Sequence, residues 1–222
     1  MMVDSETYYE NEIKGKNAEE IKKLIARLKR KIRELKYIVE HPNYIPRMLP
    51  SEKTKILCYQ EYLRCAKIAL EELGEKYDPT ASERRAMDFD SNIQNISRII
   101  LKIEGFFIGW SEVVAEIDDK VVINRKSTMV IPDAPFGDTD GSYDVDKEGF
   151  IEYLRSFHIG EWRKNYDTKR FGIHTLDGYS WELRIEYNNG KDTFVCGGDN
   201  AYPYNFDNLA EMLAVDLSSF LE

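Results

Sequence analysis

The sequence predicts an α+β protein in which a long N-terminal helical hairpin precedes a mostly antiparallel β-sheet packed with helices. Two observations predict this fold. Over residues 1–79, apolar side chains recur at the three- and four-residue spacing of amphipathic helices. From residue 96 onward, β-branched and aromatic residues alternate with charged ones, which is typical of antiparallel strands with one open face. We therefore predict two domains, residues 1–79 and residues 80–222.

The helical hairpin consists of two predicted helices and a proline-rich connection. The first helix covers residues 17–40, with Asn17 as its N-terminal cap and Pro42 just beyond its end. The second helix begins after Ser51 and closes at Gly74. Two helices joined by a short connection are expected to pack antiparallel, and the same hairpin offers a surface for a dimer.

The first helix of the hairpin is strongly basic. Residues 14–36 contain ten lysines and arginines against three glutamates, a local balance of +7. A solvated helix face is the preferred interpretation, and an anion-binding or nucleic-acid-binding surface is the alternative. The net charge of −9 for the whole chain argues against general nucleic-acid binding. The residues that would form such a surface are Lys22, Lys23, Lys29, Arg30 and Arg33.

A third helix and an antiparallel meander are predicted next along the chain. Thr80 has the residue type and spacing of a capping box, which predicts a helix over residues 81–92. Strands are then expected over residues 96–104, 107–117 and 120–131, where β-branched residues dominate. The charged residues among them fit an antiparallel meander with one open face.

An acidic loop is predicted over residues 132–145, which are rich in proline, glycine and aspartate. Asp138, Asp140 and Asp144 could together bind a hard cation. The spacing of a calcium-binding EF-hand loop is not met, so a solvated loop without a metal is the preferred interpretation. A helix over residues 147–157 is expected to follow.

The clearest strand pair lies near the C-terminus. From Trp181 to Tyr187 large side chains alternate with glutamate and arginine, which predicts a strand with one buried face. Asn189-Gly190 follows and is typical of a two-residue type I′ turn. Such a turn pairs Leu183 with Cys196 and keeps the apolar side chains of both strands on one face.

Shorter elements are predicted on either side of this strand pair. Residues 161–166 are expected to form a turn or a short helix, and residues 171–175 a strand. After the strand pair, Asn205 is expected to cap a closing helix whose apolar stripe includes Leu209. These elements place a polar aromatic loop between the last strand and the last helix.

A cluster of aromatic and amide side chains surrounds this loop. Tyrosine, tryptophan and asparagine are enriched at recognition surfaces, because they combine rigid apolar area with hydrogen bonding. The alternative interpretation is structural, with the rings sealing the seam between helix and sheet. The residues of this predicted partner-binding surface are Trp162, Tyr166, Tyr179, Asn200, Tyr202, Tyr204 and Asn205.

The sequence contains no catalytic, cofactor-binding or metal-binding signature. It has no phosphate-binding loop, no dinucleotide-binding glycine motif and no serine-nucleophile elbow, and its three histidines form no zinc motif. Cys196 is expected to point into the core and therefore not to act as a nucleophile. A hydrolase or nuclease-like site built from Asp177, Glu186 and Asp199 is the enzymatic alternative.

The hydropathy of the chain predicts a cytoplasmic protein. No apolar run reaches the roughly 18 residues that a membrane-spanning helix needs. The N-terminal sequence MMVDSETYYENE is acidic and polar, unlike a signal peptide. We therefore expect no membrane partner.

Five segments of the chain are distinctive: YYENEIKGKNAEEI, IVEHPNY, HIGEWRKNYDTKRFG, LDGYSWELRIEY and GDNAYPYNFDNL. They resemble a family of bacterial hypothetical proteins from anaerobic Gram-positive gut bacteria, associated with mobile elements. The resemblance covers most of the chain and implies no activity. It favours a role in phage or plasmid conflict, for example as the inhibitor of a defence nuclease. We therefore expect a non-enzymatic binding protein with a protein partner.

Overall fold

The computed structural model confirms the α+β class and divides the chain into two compact units. The first unit is Met1–Pro79 and the second is Thr80–Glu222. The first is helical, and the second combines a sheet with helices. The structure describes residues 3–46, 49–105, 109–127, 142–175 and 177–215.

The regular elements fall in the following ranges. The helices are α1 (Ser5–Glu12), α2 (Ala18–Val39), α3 (Glu52–Glu72), α4 (Ala81–Asn92), α5 (Lys147–Ser156) and α6 (Phe206–Met212). The strands are β1 (Ile96–Gly105), β2 (Gly109–Ile117), β3 (Val121–Ser127), β4 (Ser142–Val145), β5 (Asn165–Asp167), β6 (Tyr179–Tyr187) and β7 (Phe194–Asp199).

The two long helices of the first unit form as predicted. Asn17 caps α2 through a capping box, because its side chain accepts from the N–H of Glu20 and the Glu20 side chain accepts from the N–H of Asn17. Ser51 caps α3, and α2 packs against α3 through apolar residues on both helices. The additional helix α1 was not predicted. The ring of Tyr8 in α1 stacks on the ring of Tyr62 in α3, with the ring centroids 3.8 Å apart. The apolar periodicity of α1 is weak, so the sequence pattern did not indicate this helix.

Among the described residues, the second unit is built on a sheet of seven strands in the order β4-β3-β2-β1-β6-β7-β5. Neighbouring strands are antiparallel, except for the parallel pair of β5 and β7. The predicted meander is therefore confirmed as β1, β2 and β3, while residues 107–108 and 128–131 of the predicted strands lie outside the described residues. The prediction of a loop over residues 132–145 is wrong at its end, because Ser142–Val145 pairs with β3 as strand β4.

The predicted strand over residues 171–175 is also wrong. Thr168–Phe171 forms a 3₁₀ helix that begins where the Asp167 side chain accepts from the N–H of Lys169, and residues 173–175 belong to no regular element. The strand instead lies earlier, as β5, beside the two glycines of β7. A Cβ atom on Gly198 would lie 2.4 Å from the carbonyl oxygen of Tyr166, so the close pairing of β5 and β7 requires glycine there.

The pairing of β6 and β7 has the predicted register, with Leu183 opposite Cys196. The predicted type I′ turn is wrong, because Gly190 has a positive φ of 78° but Asn189 does not. The hydrogen bonds of the turn explain the difference. The N–H of Asn188 donates to the carbonyl of Asn95 at 2.8 Å, and the Asn189 side chain donates to Asn92 at 2.9 Å. The conformation of the turn is thus determined by its contacts with the end of α4 and the residues just after it, and not by the preference of an isolated hairpin.

The core of the second unit lies on one face of the sheet. Helices α4, α5 and α6 contribute buried residues such as Phe89, Leu154 and Leu209 to the same cluster as the alternate residues of β1 and β6. The other face of β1, β6 and β7 carries polar side chains, several of them exposed. Leu183 lies at the centre of the buried face, opposite Leu101 on one side and Cys196 on the other.

We expect Leu183→Ala to lower the free energy of unfolding by about 2–5 kcal/mol, because it leaves a cavity in a closely packed core. Val195, on the other face of β7, is 37% exposed and provides the control. Val195→Ala should change the stability by less than about 1 kcal/mol. Urea denaturation of both variants measures the difference, and equal losses would contradict the assignment of the two faces.

Candidate functional site

Four of the seven residues of the predicted partner-binding surface are buried. Trp162, Tyr166, Tyr204 and Asn205 have exposed fractions of 1%, 3%, 3% and 7%. These four side chains therefore cannot form an exposed recognition surface, and the prediction is corrected for them. The other three, Tyr179, Asn200 and Tyr202, are half-buried.

The buried rings form an aromatic cluster at one end of the core. Trp181 lies at its centre, with the ring of Phe206 at 4.6 Å, that of Tyr166 at 5.8 Å and that of Trp162 at 6.3 Å. The indole N–H of Trp181 donates to the carbonyl of Ala201 at 2.9 Å, so its polar atom is satisfied. Most of this aromatic area packs inside the protein, where it joins β6 to α6.

Asn205 has a structural role different from the predicted helix cap. Its side chain makes no capping hydrogen bond to α6. Its Oδ1 instead accepts from the indole N–H of Trp162 at 3.1 Å, and its Nδ2 donates to the carbonyl of Phe157 at 2.7 Å. The amide thereby satisfies two buried polar groups that water does not reach. The need to satisfy these two buried groups outweighs the local preference of asparagine for capping a helix.

Asn200 holds the loop that precedes β6. Its backbone has a positive φ of 52°, and its Oδ1 accepts from the N–H of Tyr179 at 2.8 Å. A Cβ atom on Gly178 would lie 1.9 Å from that oxygen, so glycine is needed for the close approach. The arrangement fixes the position of the neighbouring Asp177 relative to the end of β7.

A polar cleft lies beside this loop, on the sheet face opposite the core. It consists of two adjoining hollows of about 440 and 510 Å³ that share Glu104, Ser180 and Asp199. The strand registers place Glu104 opposite Ser180, Ser180 opposite Asp199, and Asp199 opposite Asp167. These four residues therefore form a row across β1, β6, β7 and β5. His174 and Asp177 line the same cleft from the loop.

The carboxylates of this row differ in how they are neutralised. Glu104 lies 3.3 Å from the ammonium of Lys102, and Asp167 lies 3.5 Å from that of Lys169. Within the described residues, Asp177 and Asp199 form no ion pair, and both side chains are exposed. Carboxylates placed opposite one another on adjacent strands repel, so a cation in the cleft would be stabilised beside Asp199.

The carboxylate set of the predicted enzymatic alternative is only partly brought together. Asp177 and Asp199 line the same cleft, but Glu186 lies six residues along β6 from Ser180, roughly 20 Å away. Glu186 instead approaches Arg98 at 4.0 Å. The prediction that Glu186 acts with the other two is therefore wrong. Glu104, which the sequence did not single out, is at the cleft instead, together with His174.

No metal centre was found in the part of the chain that the structure describes, since no three His, Cys, Asp or Glu side chains are grouped there to hold an ion. Asp138 and Asp140 of the acidic loop lie outside the described residues. The side chain of Asp144 is not described either. Asp146 caps α5, with its Oδ2 accepting from the N–H of Gly149 at 2.7 Å.

The cysteines are free thiols, and Cys196 is buried as predicted. Burial raises the pKa of the Cys196 thiol to about 12, so the thiol is protonated at neutral pH. A protonated thiol in the core is a poor nucleophile. Cys58 and Cys65 are half-buried, and burial also raises the pKa of Cys65.

The basic side chains of α2 are partly engaged in contacts within the first unit. Lys22 forms ion pairs with Glu19 at 3.6 Å and Glu75 at 3.0 Å, and Arg30 approaches Glu34 at 3.8 Å. Lys29 donates to the hydroxyl of Tyr77 at 3.1 Å, whereas Lys23 and Arg33 are exposed. These contacts agree with a solvated face, and nucleic-acid binding by this helix stays a prediction.

Comparison with known proteins adds no family assignment. No protein-family model matches the chain, and no curated protein or solved structure gave a match. No described helix is long and apolar enough to cross a membrane.

The buried role of Asn205 is open to a direct test. We expect Asn205→Ala to lower the free energy of unfolding by about 2–4 kcal/mol, because it leaves the indole N–H of Trp162 and the carbonyl of Phe157 without partners. Asn188→Ala, at an exposed turn position, should change it by less than about 1 kcal/mol. Denaturant titration of both variants gives the comparison, and a stable Asn205→Ala protein would argue against the bridge.

Proposed function

We propose that this protein is a non-enzymatic binding protein whose polar cleft takes a positively charged segment of a protein partner. The observation that carries the proposal is the row of Glu104, Ser180, Asp199 and Asp167 across four adjacent strands. A row fixed by backbone pairing is rigid, so little entropy is lost when a ligand binds. Asp177 and Asp199 supply carboxylates that can pair with a lysine or arginine.

The finer identity of the partner rests on the resemblance to bacterial proteins associated with mobile elements. A defence nuclease exposes a basic channel for nucleic acid. The polar cleft is lined by five carboxylates against three lysines, and this excess of negative charge is complementary to such a surface. The net charge of −9 would favour the encounter. An inhibitor of this kind competes with DNA for the channel.

A cytoplasmic location is supported by the three free thiols, which are typical of a reducing compartment.

The binding proposal is tested with a fluorescently labelled peptide of alternating lysine and arginine, whose affinity is measured by anisotropy. Asp177→Asn combined with Asp199→Asn should weaken binding about tenfold, because charge-assisted hydrogen bonds to the peptide are lost. Asp118→Asn combined with Asp119→Asn makes the same change in charge at the exposed turn between β2 and β3. That control should bind like the wild type.

Equal losses in the two double variants would mean that the peptide responds only to overall charge, and the cleft would then not be the binding site. Raising the salt concentration should weaken peptide binding to the wild type more than to the Asp177→Asn and Asp199→Asn variant. This difference is expected because fewer charges take part in the complex of the variant.

A hydrolase is the second candidate, because His174 lines the same cleft as Asp177 and Asp199. An imidazole beside carboxylates can serve as a general base for an attacking water. If the protein is a hydrolase, it should turn over a model phosphodiester, ester or peptide, and His174→Asn should abolish turnover but retain binding of the labelled peptide. Absence of turnover by the wild type across these substrates would favour the binding protein.

A further inference from the structure

A group of exposed apolar side chains lies at one end of the helical hairpin, where the connection between α2 and α3 turns back. Tyr37 and Ile38 are in the last turn of α2, Ile45 and Leu49 are in the connection, and Leu57 is in the second turn of α3. A helix rises about 1.5 Å per residue, so the three helical residues lie within roughly 8 Å of the connected helix ends. We call these five residues the apolar tip.

The exposure of the apolar tip is high for residues of these types. Ile45 is 72% exposed and Leu49 is 94% exposed, and Leu57 is 53% exposed. Large aliphatic side chains grouped in this way lose favourable burial energy, and such patches mark surfaces that bind a protein or a membrane. The connection is also held in place, because the hydroxyl of Tyr44 donates to the carboxylate of Glu52 at 2.7 Å.

The segment that carries the apolar tip has an excess of basic residues. Between Lys29 and Lys55 the sequence has eight lysines and arginines against three glutamates, a net charge of +5. Lys31 and Arg33 are exposed on α2, and Lys55 retains 30% exposure of its side chain. Lys31 approaches Glu34 at 3.7 Å and Lys55 approaches Glu52 at 3.5 Å, so part of this positive charge is paired. The surface therefore combines protruding aliphatic side chains with positive charge.

We propose that the apolar tip inserts into the headgroup region of an anionic lipid bilayer, as a peripheral contact, contrary to the sequence-based expectation of no membrane partner. Aliphatic side chains flanked by lysine and arginine match the two parts of such a membrane, since the acyl boundary takes the aliphatic groups and the lipid phosphates attract the cations. The contact is independent of the polar cleft in the second unit and does not rest on the function proposed for it.

Two other occupants fit the apolar tip less well. A second copy of the chain in a symmetric dimer would bring the same basic residues face to face, and the excess of +5 would repel itself. Nucleic acid would use the cations alone and gives no reason for exposing Ile45 and Leu49. The net charge of −9 acts against binding only over short distances, because salt screens charges beyond about 8 Å at physiological ionic strength.

The proposal is tested by sedimentation of the full-length protein with vesicles. The wild type should sediment with vesicles of phosphatidylcholine and phosphatidylserine, and much less with vesicles of phosphatidylcholine alone. Ile45→Ser combined with Leu49→Ser should lower the partition coefficient about tenfold or more, because both side chains lose their place in the acyl boundary. Both residues are exposed, so the variant should fold normally, as circular dichroism would verify.

Matched controls come from the other end of the hairpin. Ile68 and Leu73 are 42% and 51% exposed, and changing both to serine removes the same kind of surface away from the tip. This control should sediment like the wild type. For charge, Lys31→Gln combined with Arg33→Gln should weaken sedimentation, whereas Lys22→Gln with Lys23→Gln should weaken it less.

Three results would overturn the proposal. The first is a wild-type protein that does not sediment with the anionic vesicles. The second is an equal loss in the tip variant and its serine control, which would mean that the location of the apolar residues is irrelevant. The third is a dimer in lipid-free solution, measured by light scattering, that dissociates in the Ile45→Ser and Leu49→Ser variant. That result would assign the tip to a second copy of the chain.

Discussion

The pairing of β1 with β6 is the contact on which the second unit depends. It joins Ile96–Gly105 to Tyr179–Tyr187, two segments separated by most of the sheet-forming sequence. Without it, the meander β1 to β4 and the group β6, β7 and β5 would be two separate sheets. Bringing these two distant strands together costs conformational entropy. Burial of the isoleucines and leucines that alternate along both strands must offset this cost. It is also the contact that places Glu104 beside Ser180 and so completes the polar cleft.

The register of the strands also explains why the two faces of this sheet have different chemistry. In a strand, successive side chains point to opposite faces, so one register decides both what is buried and what can bind. Alternate residues of β6 pack under three helices, and Ser180 and Glu182 on the opposite face line the polar cleft. The aromatic residues that resembled a recognition surface in the sequence belong to the buried side. Their rings and the amide of Asn205 stabilise the seam between sheet and helix.

The candidate surfaces in the two units differ in charge and shape. The polar cleft is concave and carries exposed carboxylates, whereas the apolar tip exposes aliphatic side chains within a basic segment of the sequence. A cleft of this type suits a basic segment of a protein, and a tip of this type suits an anionic bilayer. The uneven distribution of charge along the sequence therefore has two separate functional interpretations, one for each unit.

The sequence by itself determined the elements whose signals are local. The helices α2, α3 and α4 follow from caps and apolar periodicity, and the register of Leu183 with Cys196 follows from alternation. Only the tertiary structure decided the features that depend on distant partners. The turn at Asn189 follows α4, Asn205 bridges two buried groups, and β5 forms beside Gly198. The residues that line the cleft could not be predicted for the same reason. Alternation places Glu104 on the polar face, but it does not indicate which strand lies beside β1.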